Sequence, residues 1–243
     1  MVVTSNGIFG FAYSAGRFAD GYVYRVGGAG FADLFDFKQT NGWAPYATPT
    51  LSGNTLYGVT FQGGTNGSGN IFRIDTDGLN FTNLYDFSLA GGANVDGLQP
   101  YDLTGLVLSG DTLYGTTTYG GSGAQGTVFT ISTAGTGFTV LHSFQFTDGG
   151  DPYTLILSGG VLYGTALTGI QGISLGDGSI FKIVLTPTLQ TAVAGAKLVL
   201  TWNDPAYSLY HAPTLTSIFT PISGATSPYT NSLTGPQEYF ELK

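Results

Sequence analysis

The stretch LYGTTTYGGSGAQGTVF, residues 113–129, contains the pattern that decides the fold. It combines β-branched and aromatic residues, which favour strands, with glycines, which favour tight turns. The tripeptide Leu-Tyr-Gly recurs at residues 56–58 and 162–164, and a variant, Ile-Phe-Gly, stands at residues 8–10. The glycines at positions 10, 58, 115 and 164 are 48, 57 and 49 residues apart. Self-similarity at this spacing predicts a tandem repeat.

Other landmarks follow each tripeptide in the same order. A Gly-x-x-aromatic stretch begins at positions 21, 69, 126 and 178, a Leu-x-x-Phe stretch begins at 34, 84 and 141, and a Pro-Tyr pair begins at 45, 100 and 152. In the third unit these landmarks predict strands at 105–108, 112–119, 127–132 and 138–144. Val128 and Phe129 point to opposite faces of a strand and both are apolar, which indicates a sheet buried on both sides. We therefore predict an all-β, propeller-like array of four blades, each a four-stranded sheet.

The period breaks near residue 187. We predict a repeat domain at 1–187 and a C-terminal β module at 188–243, with residues 186–188 and 193–195 as a connection. Strands are expected at 197–202, 208–211, 219–222 and 238–242, because apolar and β-branched residues alternate there. This module is either a separate small sandwich or a fifth blade of the array.

The landmarks carry a family resemblance. The run from Leu113 through Gly120-Gly121, Gly126–Phe129, Leu141–Phe144 and Pro152-Tyr153 resembles the Gloeobacter/Verrucomicrobia tandem repeat, over roughly residues 1–185. The terminal module resembles one found on large secreted verrucomicrobial proteins. The resemblance implies an exported or surface-associated bacterial protein, and it implies no particular activity. Unit one departs at its tripeptide and unit four lacks the Leu-x-x-Phe strand, so both are expected to be terminal blades.

Charge and composition exclude several functions. Seven basic and fifteen acidic residues give a net charge of −8, and no stretch forms the basic stripe that a nucleic-acid partner needs. No apolar run approaches the ~20 residues of a spanning helix, so membrane insertion is not expected. The absence of cysteine excludes disulfides and thiolate chemistry. We expect extracellular or cell-surface placement although no signal peptide is recognised at Met1, either because a leader was removed beforehand or because the chain is a fragment of a longer protein.

Aromatic residues in or near the inter-blade loops are the candidate ligand-binding groups: Trp43, Tyr46, Tyr101, Tyr119 and Tyr153. An exposed tryptophan could stack on a sugar ring or anchor a protein, although Trp43 could also be a buried plug of its loop. By contrast, Tyr57, Tyr114 and Tyr163 occupy one position of the repeat. A recurrent position is explained by packing between blades.

A hydrolase is the alternative function. A glycosidase needs two carboxyl groups flanking the scissile bond, and the candidates in the loops joining units are Asp96, Asp102, Asp148 and Asp151, with His142 as a helper. They stand outside the repeat register, whereas Asp36 and Asp86 share one repeat position and are expected to cap backbone. His142 and Ser143 are adjacent in a strand and point to opposite faces, which argues against a nucleophile–base pair.

We predict no cofactor and no metal. Residues 75–78 and 148–151 could offer oxygen ligands to calcium. Two carboxylates are few, however, for an ion that takes six to eight oxygens. Asp-Gly is also a common sequence in turns that bind no metal. The two histidines, His142 and His211, lie in different modules.

The primary hypothesis is an extracellular, non-catalytic binding or scaffold domain that presents its loops to a glycan or a protein. A third possibility is a structural protein that assembles through its repeat faces.

Overall fold

The computed structural model describes residues 1–88, 95–100, 105–169, 178–185, 189–202, 207–232 and 237–243. Within these ranges every regular element is a strand, so the predicted all-β class is confirmed. No helix in this part of the chain is long and apolar enough to cross a membrane. The chain divides into two compact units. The first comprises Met1–Leu108, Thr112–Ile156 and Tyr163–Lys182, and the second comprises Ser109–Asp111, Leu157–Leu162 and Ile183–Lys243.

Three sheets have four strands each, in the order of the chain. Sheet 1 contains β1 (Val2–Thr4), β2 (Gly7–Ala12), β3 (Tyr22–Gly27) and β4 (Gly30–Asp36). Sheet 2 contains β5 (Thr50–Ser52), β6 (Thr55–Thr60), β7 (Asn70–Asp75) and β8 (Thr82–Asp86). Sheet 3 contains β9 (Val107–Ser109), β10 (Thr112–Thr117), β11 (Thr127–Ser132) and β12 (Thr139–Ser143). Each is an open sheet, and the third strand of each shifts register at the same repeat position.

The remaining sheets have three strands each. Sheet 4 contains β13 (Gly150–Ser158), β14 (Val161–Thr168) and β15 (Ser179–Val184). Within the described residues the fourth unit supplies no counterpart of β12, in agreement with the expectation that it lacks the Leu-x-x-Phe strand. The reason is visible in the sequence, because the Leu-x-x-Phe stretch that forms β4, β8 and β12 is missing there.

The C-terminal residues of the second unit form two small sheets. One joins β16 (Gln190–Ala194), β17 (Lys197–Thr201) and β20 (Tyr229–Ser232), and the other joins β18 (Leu209–Ala212), β19 (Thr220–Pro221) and β21 (Tyr239–Leu242). Leu200, Trp202 and Leu209 are the buried centre of this module. Val193 and Ala194 were predicted to belong to a connection, but they are paired with β17 in β16. That prediction failed because all five side chains of β16 are exposed, so no apolar alternation marks the strand.

Sheets 2 and 3 each bury both of their faces, and sheet 1 buries one. We call the side that packs on the next sheet along the chain the front face, and the opposite side the back face. Tyr57, Ile71 and Phe87, from the front of sheet 2, form one core cluster with Leu113 and Phe129 from the back of sheet 3. The front of sheet 1 packs in the same way on the back of sheet 2, through the residues Phe9, Val23, Phe37, Leu56 and Phe72. The prediction of two-sided burial is confirmed by Val128 and Phe129, which have no exposed surface.

The glycine of the Leu-Tyr-Gly tripeptide makes room for an aromatic ring on the neighbouring strand. Gly58 pairs with Phe72 across the sheet, as Gly115 pairs with Phe129. A methyl group added at Gly58 would lie 2.6 Å from Phe72 Cζ and 2.5 Å from Phe11 Cε2 of the preceding sheet. The repeated glycine is thus a packing requirement of the back face. Tyr57 and Tyr114 are buried, as predicted for inter-blade packing, whereas Tyr163 is 39% exposed.

Candidate functional site

Two kinds of loop meet at one end of the sheets in the first unit. Hairpin loops join the second and third strands at residues 13–21, 61–69 and 118–126, and inter-sheet loops lead from the last strand of one sheet to the first of the next. They are joined by backbone hydrogen bonds: Trp43 and Gln62 exchange a pair, and Leu98 and Tyr119 exchange another. Trp43, Tyr46, Asp96, Tyr119 and Asp148 of the candidate residues fall in these loops, whereas His142 lies in β12 and Asp151 and Tyr153 lie in β13.

Asp36 and Asp86 hold the hairpin loops in place. The Arg17 amide donates to Asp36 Oδ1 at 2.6 Å. In sheet 2 the Thr65 amide donates to Asp86 Oδ1 at 3.1 Å, and the Thr65 hydroxyl donates to Asp86 Oδ2 at 2.7 Å. The backbone-capping role predicted for this repeat position is confirmed. These two carboxylates are used by the fold.

Asp96 and Asp148 also occupy a repeat position, which contradicts their assignment outside the repeat register. Each accepts a hydrogen bond from the backbone amide that follows the buried phenylalanine of its unit: Ser88 to Asp96 at 2.8 Å and Gln145 to Asp148 at 2.7 Å. Asn41 accepts the equivalent bond from Lys38 at 2.8 Å. A glycine follows all three, so each inter-sheet loop contains an Asx-Gly turn at this position.

The carboxylate of this turn also contacts the aromatic position of the Leu-x-x-Phe stretch. The Tyr85 hydroxyl donates to Asp96 Oδ2 at 2.7 Å, and His142 Nε2 lies 3.0 Å from Asp148 Oδ2. His142 therefore fills the slot of Tyr85, and its ring packs edge-on against Phe144 with centroids 4.7 Å apart. Burial, followed by the hydrogen bond to Asp96, raises the pKa of Tyr85 above its ordinary value. The two pairs are equivalent in the repeat.

Asp151 stands three residues after Asp148, at the start of β13. Its amide donates to the Gln125 carbonyl at 2.9 Å, as Ala44 does to Asp20 and Gln99 does to Ser68. Asp151 has φ +51°, Ala44 has φ +55° and Gln99 has φ +53°, so this position has one backbone conformation in all three loops. Burial raises the pKa of the Asp151 carboxyl above the ordinary 3.8.

We expect the Asp151→Asn variant to be more stable than the parent at pH 7. A carboxyl whose pKa is higher in the folded than in the unfolded chain costs stability once it ionises, so the cost appears as the pH rises through 3.8 to the folded pKa. Asparagine removes the charge and tolerates positive φ. Thermal melts at a series of pH values should show the difference between the two proteins shrinking in acid. A variant less stable than the parent at pH 7 would contradict the assignment.

Trp43 lies in an open cleft of about 310 Å³, lined also by Gln39, Thr40, Gln62 and by Gly63, Gly64 and Gly67 of the hairpin loop. The Trp43 amide donates to the Gln62 carbonyl at 2.6 Å and the Gln62 amide donates back at 3.1 Å, while the Gly64 amide donates to the Gln39 carbonyl at 2.9 Å. These bonds fix the backbone on both sides of the cleft. The indole is 37% exposed, so it is not a fully buried plug of its loop.

The other aromatic candidates have different surroundings. Tyr46 is half-buried and stacks on Tyr13, with centroids 5.0 Å apart and planes 11° from parallel. Tyr119 is 45% exposed and occupies the hairpin-loop position of Gln62, where its backbone pairs with Leu98. Tyr153 is half-buried in β13. Tyr101 and Asp102 lie outside the described residues.

The structure thus brings Trp43 together with polar residues that the sequence analysis missed. Gln39, Thr40 and Gln62 carry no repeat pattern, and uncharged loop residues give no chemical signal when read one at a time. One signal was present. Gln62 and Tyr119 occupy one repeat position in the hairpin loops, and Trp43 and Leu98 occupy one in the inter-sheet loops. Each of the two bridged pairs therefore has one large aromatic residue, in the inter-sheet loop at Trp43 and in the hairpin loop at Tyr119.

Carboxylates considered as calcium ligands are also engaged by the protein. Asp77 Oδ1 accepts a hydrogen bond from the Leu79 amide at 2.9 Å. Hydrogen bonds from Asn80 and Thr55 lower the pKa of Asp75. In the portion of the chain that can be described, no three acidic or histidine side chains gather where they could hold a metal ion.

A larger cleft of about 630 Å³ lies in the second unit, where Gln190, Trp202 and Tyr207 are among its lining residues. None of the predicted site residues lines it. Trp202 is mostly buried, as expected for a core residue of the module, and the Tyr207 hydroxyl donates to the Leu185 carbonyl at 2.8 Å. This cleft therefore offers mainly groups that the module already uses.

The repeat, its loops and its packing define a tandem-repeat class of all-β proteins. The chain belongs to the Gloeobacter/Verrucomicrobia repeat family, whose model matches residues 1–203. That match confirms the resemblance drawn from the Leu-Tyr-Gly landmarks. No curated protein sequence matches this one.

The solved structures that match this chain share little sequence with it. A nidogen/laminin complex is 16% identical over 76% of this chain, with a TM-score of 0.43, and the match spans 65% of that protein. TolB from Acinetobacter baumannii is 13% identical over 75% of this chain and 46% of its own, with a TM-score of 0.42. A putative TolB from Agrobacterium tumefaciens is 10% identical over 93% of this chain and 67% of its own, also with a TM-score of 0.42.

Proposed function

We propose that this chain is a non-catalytic binding domain of an exported or surface-attached bacterial protein, and that the Trp43 cleft binds a neutral glycan. The observation that carries the proposal is a half-exposed indole on a fixed backbone beside two amides and a hydroxyl. An aromatic face stacks on the apolar face of a sugar, and amide and hydroxyl groups satisfy its hydroxyls. Rigid backbone on both sides reduces the entropy lost on binding.

The chemistry of the cleft indicates an uncharged ligand. None of the side chains that line it is ionisable, and the chain as a whole carries a charge of −8, which repels polyanions. At about 310 Å³ the cleft is at the lower end of the range for small-molecule sites, which suits one or two sugar rings rather than a long buried chain.

A hydrolytic function has weaker support. The carboxylates of Asp96 and Asp148 accept hydrogen bonds from the backbone amides of their own turns. The side-chain oxygen of Asn41 accepts the equivalent bond in the first repeat. A position that accepts asparagine in a sister unit is explained by turn geometry. The rates at which the purified chain cleaves chromogenic glycosides and esters, compared with those of Asp148→Asn, would reveal hydrolysis that depends on this carboxylate.

Binding to Trp43 can be tested by fluorescence and calorimetry. The chain has two tryptophans and Trp202 is mostly buried, so a ligand that covers Trp43 should shift the emission of the exposed indole. We expect at least one of cellohexaose, xylohexaose and laminarihexaose to produce this shift, and Trp43→Ala to weaken its binding at least tenfold, about 1.4 kcal/mol. Trp43→Phe should retain part of the affinity because a ring remains.

Phe146→Ala is the matched control, since Phe146 is an exposed aromatic residue that does not line the cleft. It should bind as the parent does. If no neutral oligosaccharide shifts the emission or releases heat, or if Trp43→Ala binds as tightly as the parent, the proposal is wrong.

A further inference from the structure

Sheet 4 leaves its front face uncovered. Repeat-equivalent residues on the fronts of sheets 2 and 3 are buried beneath the next sheet: Tyr57 and Tyr114 are 6% and 5% exposed, and Ile71 and Val128 are fully covered. At the same positions in sheet 4, Tyr163 is 39% exposed and Ile180 is 84% exposed. Ile156 and Leu167, on the same side of β13 and β14, are also exposed. Among the described residues, sheet 4 thus has an apolar front face whose side chains are exposed.

Sheet 1 leaves the complementary surface uncovered. Its back face carries Val3, Ile8, Val26 and Phe31, all of which are exposed. In sheets 2 and 3 the equivalent face receives the front of the preceding sheet, whereas none of the described sheets covers this face of sheet 1. The described residues therefore leave an exposed front face on sheet 4 and an exposed back face on sheet 1.

The bare back face retains the geometry of the covered ones. Tyr24 and Phe31 stack with centroids 6.0 Å apart and planes at 25°. The equivalent pair in sheet 2, Phe72 and Phe81, has 5.7 Å and 24°, and the pair in sheet 3, Phe129 and Phe138, has 5.5 Å and 27°. In those sheets the stacked pair receives an aromatic ring of the preceding sheet: Phe37 approaches Phe72 at 5.0 Å and Phe87 approaches Phe129 at 5.5 Å.

We propose that the front face of sheet 4 binds the back face of sheet 1 of a second copy of this chain, head to tail. The contact continues the interface that already joins sheets 1 to 2 and 2 to 3, and it covers apolar residues at both ends. The charges are complementary, because Lys182 shares the strand face of Ile180, and Asp33 shares the strand face of Phe31. Two copies bring eight sheets together, which is within the number found in propellers. This association is independent of the Trp43 cleft.

Light scattering coupled to size exclusion tests the association. We expect the parent chain to show a mass of two or more chains. Head-to-tail contacts form either rings or filaments, so the mass should either stay at that of a closed dimer or increase with concentration. Ile180→Asp and Phe31→Asp should each reduce the mass to one chain, because each buries a carboxylate against apolar residues in the contact. Ile218→Asp is the matched control: Ile218 is 89% exposed but lies on neither face, and this variant should associate as the parent does.

Mixing the two monomeric variants separates a specific contact from general stickiness. Ile180→Asp retains an intact sheet 1, and Phe31→Asp retains an intact sheet 4. A mixture should form a complex of two chains and no larger species, since both remaining faces carry the substitution. Circular dichroism should show parent-like strand content for each variant alone. A parent chain that is monomeric at every concentration, or a mixture that stays monomeric, would overturn the proposal.

Discussion

The Phe129→Ala variant is expected to lose about 3–5 kcal/mol of unfolding free energy, the largest effect of any single substitution that we predict. Phe129 has no exposed surface, and its ring lies 5.5 Å from that of Phe87 in sheet 2 and 5.5 Å from that of Phe138 in its own sheet. Alanine leaves a cavity where two sheets meet. The loss is a large share of the 5–15 kcal/mol that stabilises a typical domain. Urea titration followed by circular dichroism measures it.

Phe146→Ala provides the comparison for this measurement. Phe146 has the same side chain but is 60% exposed in an inter-sheet loop, so its loss should change stability by no more than about 0.5 kcal/mol. Similar midpoints for Phe129→Ala and the parent would mean that sheets 2 and 3 do not share the core described above.

The Gly58→Ala variant should be destabilised by about 1–3 kcal/mol, although it adds only one methyl group. The added carbon would lie 2.5 Å from the Phe11 ring and 2.6 Å from the Phe72 ring, and both rings are held between sheets 1 and 2. One ring or one strand must therefore move. Thermal melts and urea midpoints should both fall.

Gly28→Ala separates this steric effect from the general cost of replacing glycine. Gly28 lies in the turn after β3, where an added methyl group would meet nothing within 4 Å. Its substitution should leave the stability nearly unchanged. Equal losses for the two variants would refute the packing explanation of the Leu-Tyr-Gly tripeptide.

The repeated sheets were predictable because the same types of side chain occupy the same packing positions in each repeat. The adjacent apolar residues Val128 and Phe129 predict from the sequence alone that both faces of the strand are buried, and both residues are buried in the structure. The strand β16 was not predictable, since a strand whose side chains are all exposed has no apolar period. The exposure of Tyr163 was also hidden, because a residue type does not reveal whether a further sheet follows it.

The loop region was predictable only in part. The Asx-Gly turn at Asn41, Asp96 and Asp148 was missed because the distance from the preceding phenylalanine is not constant: Asp96 follows Phe87 by nine residues, whereas Asp148 follows Phe144 by four. Counted backwards from the Pro-Tyr pair, the three turns align at one spacing. The Trp43 cleft depends on which loops meet in space, and that information is absent from a linear pattern.

The shared backbone of the loops has a consequence for how such chains diversify. Amide–carbonyl pairs and Asx turns determine the course of each loop, so the side chains at the positions of Trp43 and Leu98, and of Gln62 and Tyr119, contribute little to keeping it there. Mutation can exchange those side chains without unfolding the copy that carries them. Duplication of a repeat therefore copies a backbone that tolerates substitution at these loop positions. One chain can in this way acquire several different loop surfaces from one original repeat.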